Sequence, residues 1–556
     1  MNCSVKGLLA GFASAAVLVS SQSVFAQTVS WSNTATQGIA LSQLVSATDL
    51  GPAPISQTMT VRVALNLQNK EGLLAFVKAV SDPSSPQYGQ FLTPQQFAAS
   101  YAPSTSQIAQ VVAYLQGAGF TNVVVEPNNL LVSADGTAAI AQAAFNTPIE
   151  QYSQFGKTVI GNTAPAQVPA SLGGIVSAVL GLNTIGQMKP TIALPPTPLP
   201  QYLVSYTPKQ FQHIYGADGV APAANATIAI MAEGDMTGVL TDLRIAEAAF
   251  GLPQVPVQVV QVGLASPDVA GADEWDMDTQ YSTGMAGTVK KLYLYTTTTL
   301  SDSDLALEFS RWATDNKAKA ASASLGECEV FPYIDGSMLF DDMVFLQAAS
   351  QGQTFFASSG DTGSFCPAGP AGANGVPAGA PLVSYPASSQ YVVGVGGTTL
   401  LTNANGNYNT ETAWNAGGGG ISQFEGAPFW QTAASPVIAK ANSKGVPDIA
   451  YDADPESGAM VYVNGKPLGV GGTSLSSPMA LGTWARAISI NPRLGFAPPR
   501  LYGIYDGTGA TGAYPVGGYH DVILGTNGLY SAMPGYDLTT GLGTPIVKQL
   551  TQALAH

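Results

Sequence analysis

Hydrophobic and polar positions divide the chain into three stretches. In the first, "MTVRVALNL" (Met59 to Leu67) alternates with period two and predicts a strand. "KEGLLAFVKAV" carries apolar residues at helical spacing and stops at the turn cluster "SDPSSPQYG". "TPQQFAASY" and "TSQIAQVVAYLQGAG" predict two more helices, the second ending at Gly117 or Gly119. "NVVVEP", "LLVSAD" and "PIEQYSQ" predict short strands. The second stretch, "MKPTIALPPTPLPQYL" (Met188 to Leu203), holds prolines that disfavour helix and central strand alike, so it is expected to be extended, exposed and open to proteolysis. In the third, strand-like runs alternate with helical ones. "ATIAIMA", "VKKLYLYT", "AASASLG", "TFFASSG" and "YVVGVGG" read as strands; "LTDLRIAEAAFG", "DSDLALEFSRWATDN" and "LFDDMVFLQAASQG" read as helices. That alternation predicts an α/β domain, a parallel sheet with helices on both faces, whose sites gather at the carboxyl ends of the strands. No repeat of solenoid period is evident.

Composition narrows the possibilities. The 556 residues exceed one domain. Charged residues make up 10 % of the chain, and acids outnumber bases by 15. No basic stripe can neutralise phosphates, which argues against nucleic acid. A surface poor in Lys and Arg, with acids that lose charge at low pH, gathers little self-repulsion in acid; an ordinary acidic exported protein has the same composition. At the N-terminus Lys6 precedes the apolar run "GLLAGFASAAVLV", with small residues at Val24 and Ala26 before Gln27. This reads as a signal peptide over residues 1–26, too short for a comfortable span, so a secreted protein free of the membrane is expected. Cys3 leaves with the signal; Cys328 and Cys366 remain, as one disulfide or as two buried thiols.

The candidate chemistry starts from "GVGGTSLSSPMA" (Gly469 to Ala480), where Gly472-Thr473-Ser474 followed by Pro478 has the form of a turn presenting a nucleophilic serine at the head of a helix. A serine needs a base, and the chain has only three histidines, His213, His520 and His556. Neither His213 nor His520 fits the chain order of a histidine triad on a subtilisin-like sheet, and Ser474 lacks the second glycine of a lipase-type GxSxG elbow. Acids offer another route. If "GADEWDMDTQYSTGMAG" is helical from Asp273, Glu274 and Asp278 stand four apart on one face, about 5–6 Å between Cβ atoms. Such a pair, buried, shares a proton and can serve a serine as general base: Glu274 takes the proton and Asp278 orients it. An acid-rich first helical turn, favoured by the dipole, has the same sequence. In "FFASSGDTGS", Asp361 stands at the tip of a buried strand ending at Gly360, where a protonated carboxyl could donate to an oxyanion beside the Ser474 N–H. It could equally be a turn residue.

Taken in order, these pieces resemble the sedolisins, the serine-carboxyl peptidases similar in fold to subtilisin. Glu274-Trp275-Asp276-Met277-Asp278 resembles that family's acid helix, Ser359-Gly360-Asp361-Thr362-Gly363 its oxyanion aspartate, and Gly472-Thr473-Ser474 with Pro478 its nucleophile turn. "SDPSSPQYGQFLTPQQF" resembles its kumamolisin-like activation propeptide; "SASLGECE", "ETAWNAGGGGIS" and "GVPDIAYDADP" resemble blocks of its catalytic domain. The resemblance implies a subtilisin-like parallel sheet preceded by an α+β propeptide domain with an antiparallel sheet. It divides the chain into signal (1–26), propeptide (27–186), processing linker (187–205) and catalytic domain (206–556). It also implies a structural Ca²⁺ in the tail, where "HDVILGTNG" and "MPGYDLTTGLGTP" would supply the carboxylates of Asp521 and Asp537 and the carbonyls of Val522, Met533 and Gly535, a hard-oxygen set. Met533 stands where a glycine is expected. Two departures stand out: Leu325 replaces a tryptophan, and Ala232 a glutamate, that some members carry. The hydrogen-bond chain those members have behind the acid pair is therefore not expected here.

The implied reaction is acyl transfer to Ser474, with protein or peptide substrates and the chain's own propeptide as inhibitor, in a monomeric, exported, self-processing zymogen. Asp361 must keep its proton and the acid pair must be partly ionised, which gives a bell-shaped profile on the acid side of about pH 5.5. Acid is expected to loosen the propeptide by discharging acids paired across the interface. The competing reading from another class is an exported calcium-binding protein on a decayed peptidase scaffold.

Overall fold

The computed structural model describes residues 1, 29–39, 47–195, 204–366, 381–505 and 517–555. The signal peptide, part of the linker and His556 lie outside them.

In the N-terminal half, Thr58–Leu65 pairs antiparallel with Leu131–Thr137 and Val176–Leu180, and Thr121–Val125 completes a four-stranded sheet. A second antiparallel sheet joins Ala47–Pro52, Ile149–Gln154 and Lys157–Asn162. The period-two strand sorts its side chains as the pattern requires: Val61, Val63 and Leu65 enter the N-terminal half's own core, while Ala64 joins the core of the other half. The helices Lys70–Ser81, Pro94–Tyr101 and Thr105–Ala118 match the expected segments. The last two open on capping boxes, at Thr93 with Gln96 and Ser104 with Gln107. Thr105–Ala118 stops at Gly119, where φ is +101°.

The C-terminal half is built on an eight-stranded sheet. Its order is Val257–Gln261, Val289–Thr297, Ala223–Glu233, Ala320–Ala323, Thr354–Ser358, Val392–Thr402 and Tyr408–Ala413, with Ile449–Asp452 also on Val392–Thr402. Every pairing is parallel except the one to Tyr408–Ala413. The long Thr473–Ile490 helix packs across the central strands, beside the Ala272–Ala286 helix. Both are buried nearly all round, which explains their weak amphipathic pattern.

Two segments differ from the expectation. "AASASLG" is two strands, Ala320–Ala323 in the main sheet and Leu325–Cys328 in a separate antiparallel one; the chain changes sheets at Ser324. The strand before Asp361 ends at Ser358, two residues early, because Gly360 turns at φ +103°. The Ala138–Ala144 helix was not expected: "AAIAQAA" has no polar face to set a period.

Candidate active site

Ser474 is the second residue of the Thr473–Ile490 helix and is fully buried. Its N–H belongs to the first helical turn and has no partner within the helix. Pro478 accounts for what happens to its carbonyl. A helix bonds the N–H of residue i+4 to that oxygen, but proline has no N–H. The Ser324 hydroxyl, delivered where the chain changes sheets, stands in at 3.2 Å.

The same Ser324 oxygen lies 2.6 Å from Asp278 Oδ1. Asp278 and Glu274 project from the Ala272–Ala286 helix, and both are inaccessible to solvent. Burial, reinforced for Glu274 by the Asp278 charge, pushes both carboxyls well above their ordinary values. The Ser474 hydroxyl opposes that rise at Glu274, and the Ser324 hydroxyl at Asp278. Among the described residues, neither Glu274 oxygen nor Asp278 Oδ2 has a hydrogen-bond partner. Ser474 sits close enough to favour the charged form of Glu274, yet its hydroxyl is bonded elsewhere, to Thr191 Oγ1 at 2.6 Å.

Asp361 approaches from the Thr354–Ser358 strand. Its Oδ1 accepts two bonds from Thr473, from N–H and hydroxyl, each 2.8 Å. The Thr473 hydroxyl in turn accepts from the Gly360 N–H at 3.0 Å. Oδ2 is shut off from solvent and unpartnered. Burial raises this carboxyl to about 7, so at lower pH it carries a proton that Oδ2 can donate. The structure thus brings Glu274, Asp278, Asp361 and Ser474 to one turn. The remaining described histidines lie elsewhere: His213 bonds Asp218 and Asn407, and His520, pushed down to about 4 by burial, stacks on Tyr408.

The described part of the linker is less exposed than expected: Lys189, Leu194 and Val204 are exposed, but residues 190–193 are half-buried. Met188 is buried, and residues 189–193 run through the active-site cleft. Lys189 and Pro190 pair antiparallel with Gly326 and Leu325, and Ala193 exchanges two backbone bonds with Gly471. The groove satisfies backbone groups that water would otherwise take. Thr191, Ser324, Ser358 and Thr473 are site residues that the sequence did not single out. Only Thr473, next to the nucleophile, had a local signal.

The departures also find their account. Leu325 is a wall of this groove. A glutamate does reach Ala232, but from the Asp302–Asp315 helix: Glu308 Oε1 accepts the Ala232 N–H at 3.3 Å. Cys328 and Cys366 form a disulfide, Cα atoms 5.4 Å apart, tying the groove strand to the segment after Asp361.

At the propeptide interface Arg62 meets Asp304 at 2.7 Å. Beneath Gly186 lie Asp302 and Glu327, with Asp335 and Asp341 close enough to raise one another's pKa. Burial pushes all four up, Glu327 to about 8. These groups favour the closed interface when protonated, which opposes the expected loosening of the propeptide in acid.

In the tail, Asp521 and Asp537 are buried and reach one loop: Asp521 Oδ2 accepts the Gly535 N–H and Asp537 Oδ2 the Met533 N–H, each at 3.0 Å. No described residue donates a hydrogen bond to the carbonyls of Val522, Met533 or Gly535, and no cation pairs with either acid among the described residues. No group of three or more His, Cys, Asp or Glu is assembled for a metal among the described residues. Two acids with three unclaimed carbonyls fit a hard cation without one.

Comparison with known proteins agrees with this geometry. Residues 46–185 match the Pro-kumamolisin activation domain family. The chain is 37 % identical to sedolisin of Pseudomonas sp. (strain 101), over 94 % of this chain and 92 % of that protein. It is also 37 % identical to xanthomonalisin of Xanthomonas sp. (strain T-22), over 89 % of this chain and 65 % of that protein. The solved structure of Pseudomonas sedolisin, a serine-carboxyl proteinase complexed with two molecules of pseudo-iodotyrostatin, superposes with a TM-score of 0.58 over 63 % of this chain and 98 % of its own. The chain belongs to the sedolisin family of serine-carboxyl peptidases and carries an activation propeptide.

Proposed function

We propose that the protein is a secreted endopeptidase that works in acid and matures by cutting itself. Ser474 attacks the substrate carbonyl. Glu274 takes its proton and later delivers it to the leaving amine, Asp278 holds the proton balance of the pair, and protonated Asp361 with the Ser474 N–H stabilises the oxyanion. The observation that carries this reading is the set of unpartnered oxygens on Glu274, Asp278 and Asp361 around one buried serine. Buried acceptors left without partners cost stability, and a proton and a reacting substrate are what would satisfy them. One chain supplies the whole site, which supports a monomer, and the apolar run after Lys6 supports export.

The acidity follows from Asp361. It donates only while protonated, so activity falls as the pH rises through its pKa, about 7 in the closed cleft. Once the linker leaves and water enters, the desolvation that raises Asp361 and the acid pair shrinks. Their values then move toward ordinary carboxyls, giving a profile on the acid side of about pH 5.5. Asp521 and Asp537, with the carbonyls of Val522, Met533 and Gly535, would hold a structural Ca²⁺ that pins the C-terminal loops.

Ser474→Ala tests the reading. The variant is expected to lose peptide hydrolysis at pH 3–5 by about 10⁴-fold or more and to stay full length in pure form. A pure Ser474→Ala chain that shortens near residues 187–205, or an activity peak at neutral pH, would overturn it.

A further inference from the structure

The linker does more than block the cleft. Two anchors fix its register. On one side Lys189 and Pro190 lie opposite Gly326 and Leu325. On the other, Ala193 N–H donates to Gly471 O at 3.0 Å and Gly471 N–H to Ala193 O at 2.8 Å. Only Thr191 and Ile192 lie between the anchors, and Ser474 follows Gly471 by three residues. The Thr191 hydroxyl is 2.6 Å from Ser474 Oγ and 2.8 Å from Ser358 Oγ. The Thr191 carbonyl oxygen lies 2.2 Å from where a Cβ on Gly472 would stand, and the free Oδ2 of Asp361 lies 2.6 Å from the same point. Of the carbonyls between the anchors, the one beside both the nucleophile and the oxyanion donor is Thr191's.

We propose that the first activating cut is the hydrolysis of the chain's own Thr191–Ile192 peptide bond, leaving Ile192 as the new N-terminus. This rests on Ser474 as nucleophile and specifies which bond it takes first. Ser474 Oγ bonds the Thr191 carbonyl carbon and its proton passes to Glu274. The oxyanion forms against Asp361. The carbon–nitrogen bond to Ile192 breaks, and the proton on Glu274 goes to that nitrogen. Water then hydrolyses the ester, giving a Thr191 carboxyl and restoring the serine. The Thr191 hydroxyl must first release Ser474, so the segment that presents the bond also delays its cleavage.

The same register describes what the groove accepts. Met188, three residues before Thr191, is 1 % exposed and joins the catalytic core, its N–H donating to Leu300 O at 3.1 Å. Lys189 points outward near the Glu327 charge, and Ile192 packs half-buried against the core. Substrates should therefore carry a large apolar residue at the Met188 position and an apolar one just after the cut.

The test takes the pure full-length chain to pH 4 and identifies the earliest fragments by intact mass and N-terminal sequencing. The expected pair ends at Thr191 and begins at Ile192. An Ile192→Pro chain, checked for an unchanged thermal melt, is expected to yield neither fragment. The matured enzyme is expected to cut a synthetic peptide of residues 186–196 between the same two residues. If the wild-type chain cuts first elsewhere, or the peptide is cut elsewhere, while Ser474→Ala stays whole, this assignment is overturned and the nucleophile stands. If pure Ser474→Ala shortens, or the wild-type chain stays whole and the peptide uncut throughout the acid range, both fall.

Discussion

The interiors of the two halves are made differently. Among the described residues, the propeptide buries no Asp or Glu; its polar interior is Thr, Ser, Asn, Gln and Arg62. The catalytic half buries Glu274, Asp276, Asp278, Asp302, Glu308, Glu327, Glu329, Asp335 and Asp341, among others, with few cations to pair them. Burial raises these carboxyls, in several cases to values between about 7 and about 8. A buried acid without a cation is tolerable only with its proton on. The propeptide core is therefore free of buried acids that titrate, whereas the interior of the catalytic half is most stable with its carboxyls neutral. The net charge of the whole chain hints at this, but the uneven division between the halves becomes visible only in the fold.

The largest expected effect separates the halves by titration. Asp276 and Glu327 move from ordinary values of 3.8 and 4.5 to about 8, and Glu329 from 4.5 to about 7. Raised folded values contribute stability that is complete below the ordinary values and disappears as the pH climbs through 7 to 8. In the Ser474→Ala chain, hydrogen exchange corrected for intrinsic rate should show Ala320–Ala323 and Thr354–Ser358 losing several kcal/mol of protection between pH 4 and 8, with Thr58–Leu65 changing far less. Equal losses in both halves would break the comparison.

A smaller effect sharpens it at one residue. Asp361→Asn keeps the shape but cannot ionise, and it replaces a neutral acid donor with a weaker amide. We expect kcat on a peptide substrate to fall by about 10²–10³-fold. The decline of the residual activity with rising pH should also lose the Asp361 contribution. A variant whose alkaline limb is unchanged would show that another group sets it. Smallest is Arg62→Ala, which removes the bonds to Ser303 and Asp304 across the interface. It should weaken the docking of the propeptide by about 1.5–3 kcal/mol, read as the inhibition constant of the separated propeptide.

How much could be read from the chain depended on whether the signal was local. Glu274 and Asp278 show themselves by a spacing of four, since one helical turn fixes their neighbourhood. Asp361 shows itself by following a buried apolar run, and Ser474 by the glycines and proline around it. Thr191 has no such signal. Its place opposite Ser474 depends on pairing with Leu325, Gly326 and Gly471, which are between 134 and 280 positions away in sequence. The acids beneath Gly186 come from four separate elements between residues 302 and 341, so no short window of sequence marks them as a group. The strand break at Ser324 was hidden because "AASASLG" consists of small residues apart from Leu325, equally suited to one strand or two.

Gly472 has a consequence of its own. A side chain at this position would fill the space where the Thr191 oxygen lies, 2.2 Å away, while Asp361 closes in from the other side. Asp361 Oδ2 lies 2.6 Å from the same point, so a single methyl group added at residue 472 would force the linker carbonyl from its seat beside Ser474 and cost the enclosed segment its register.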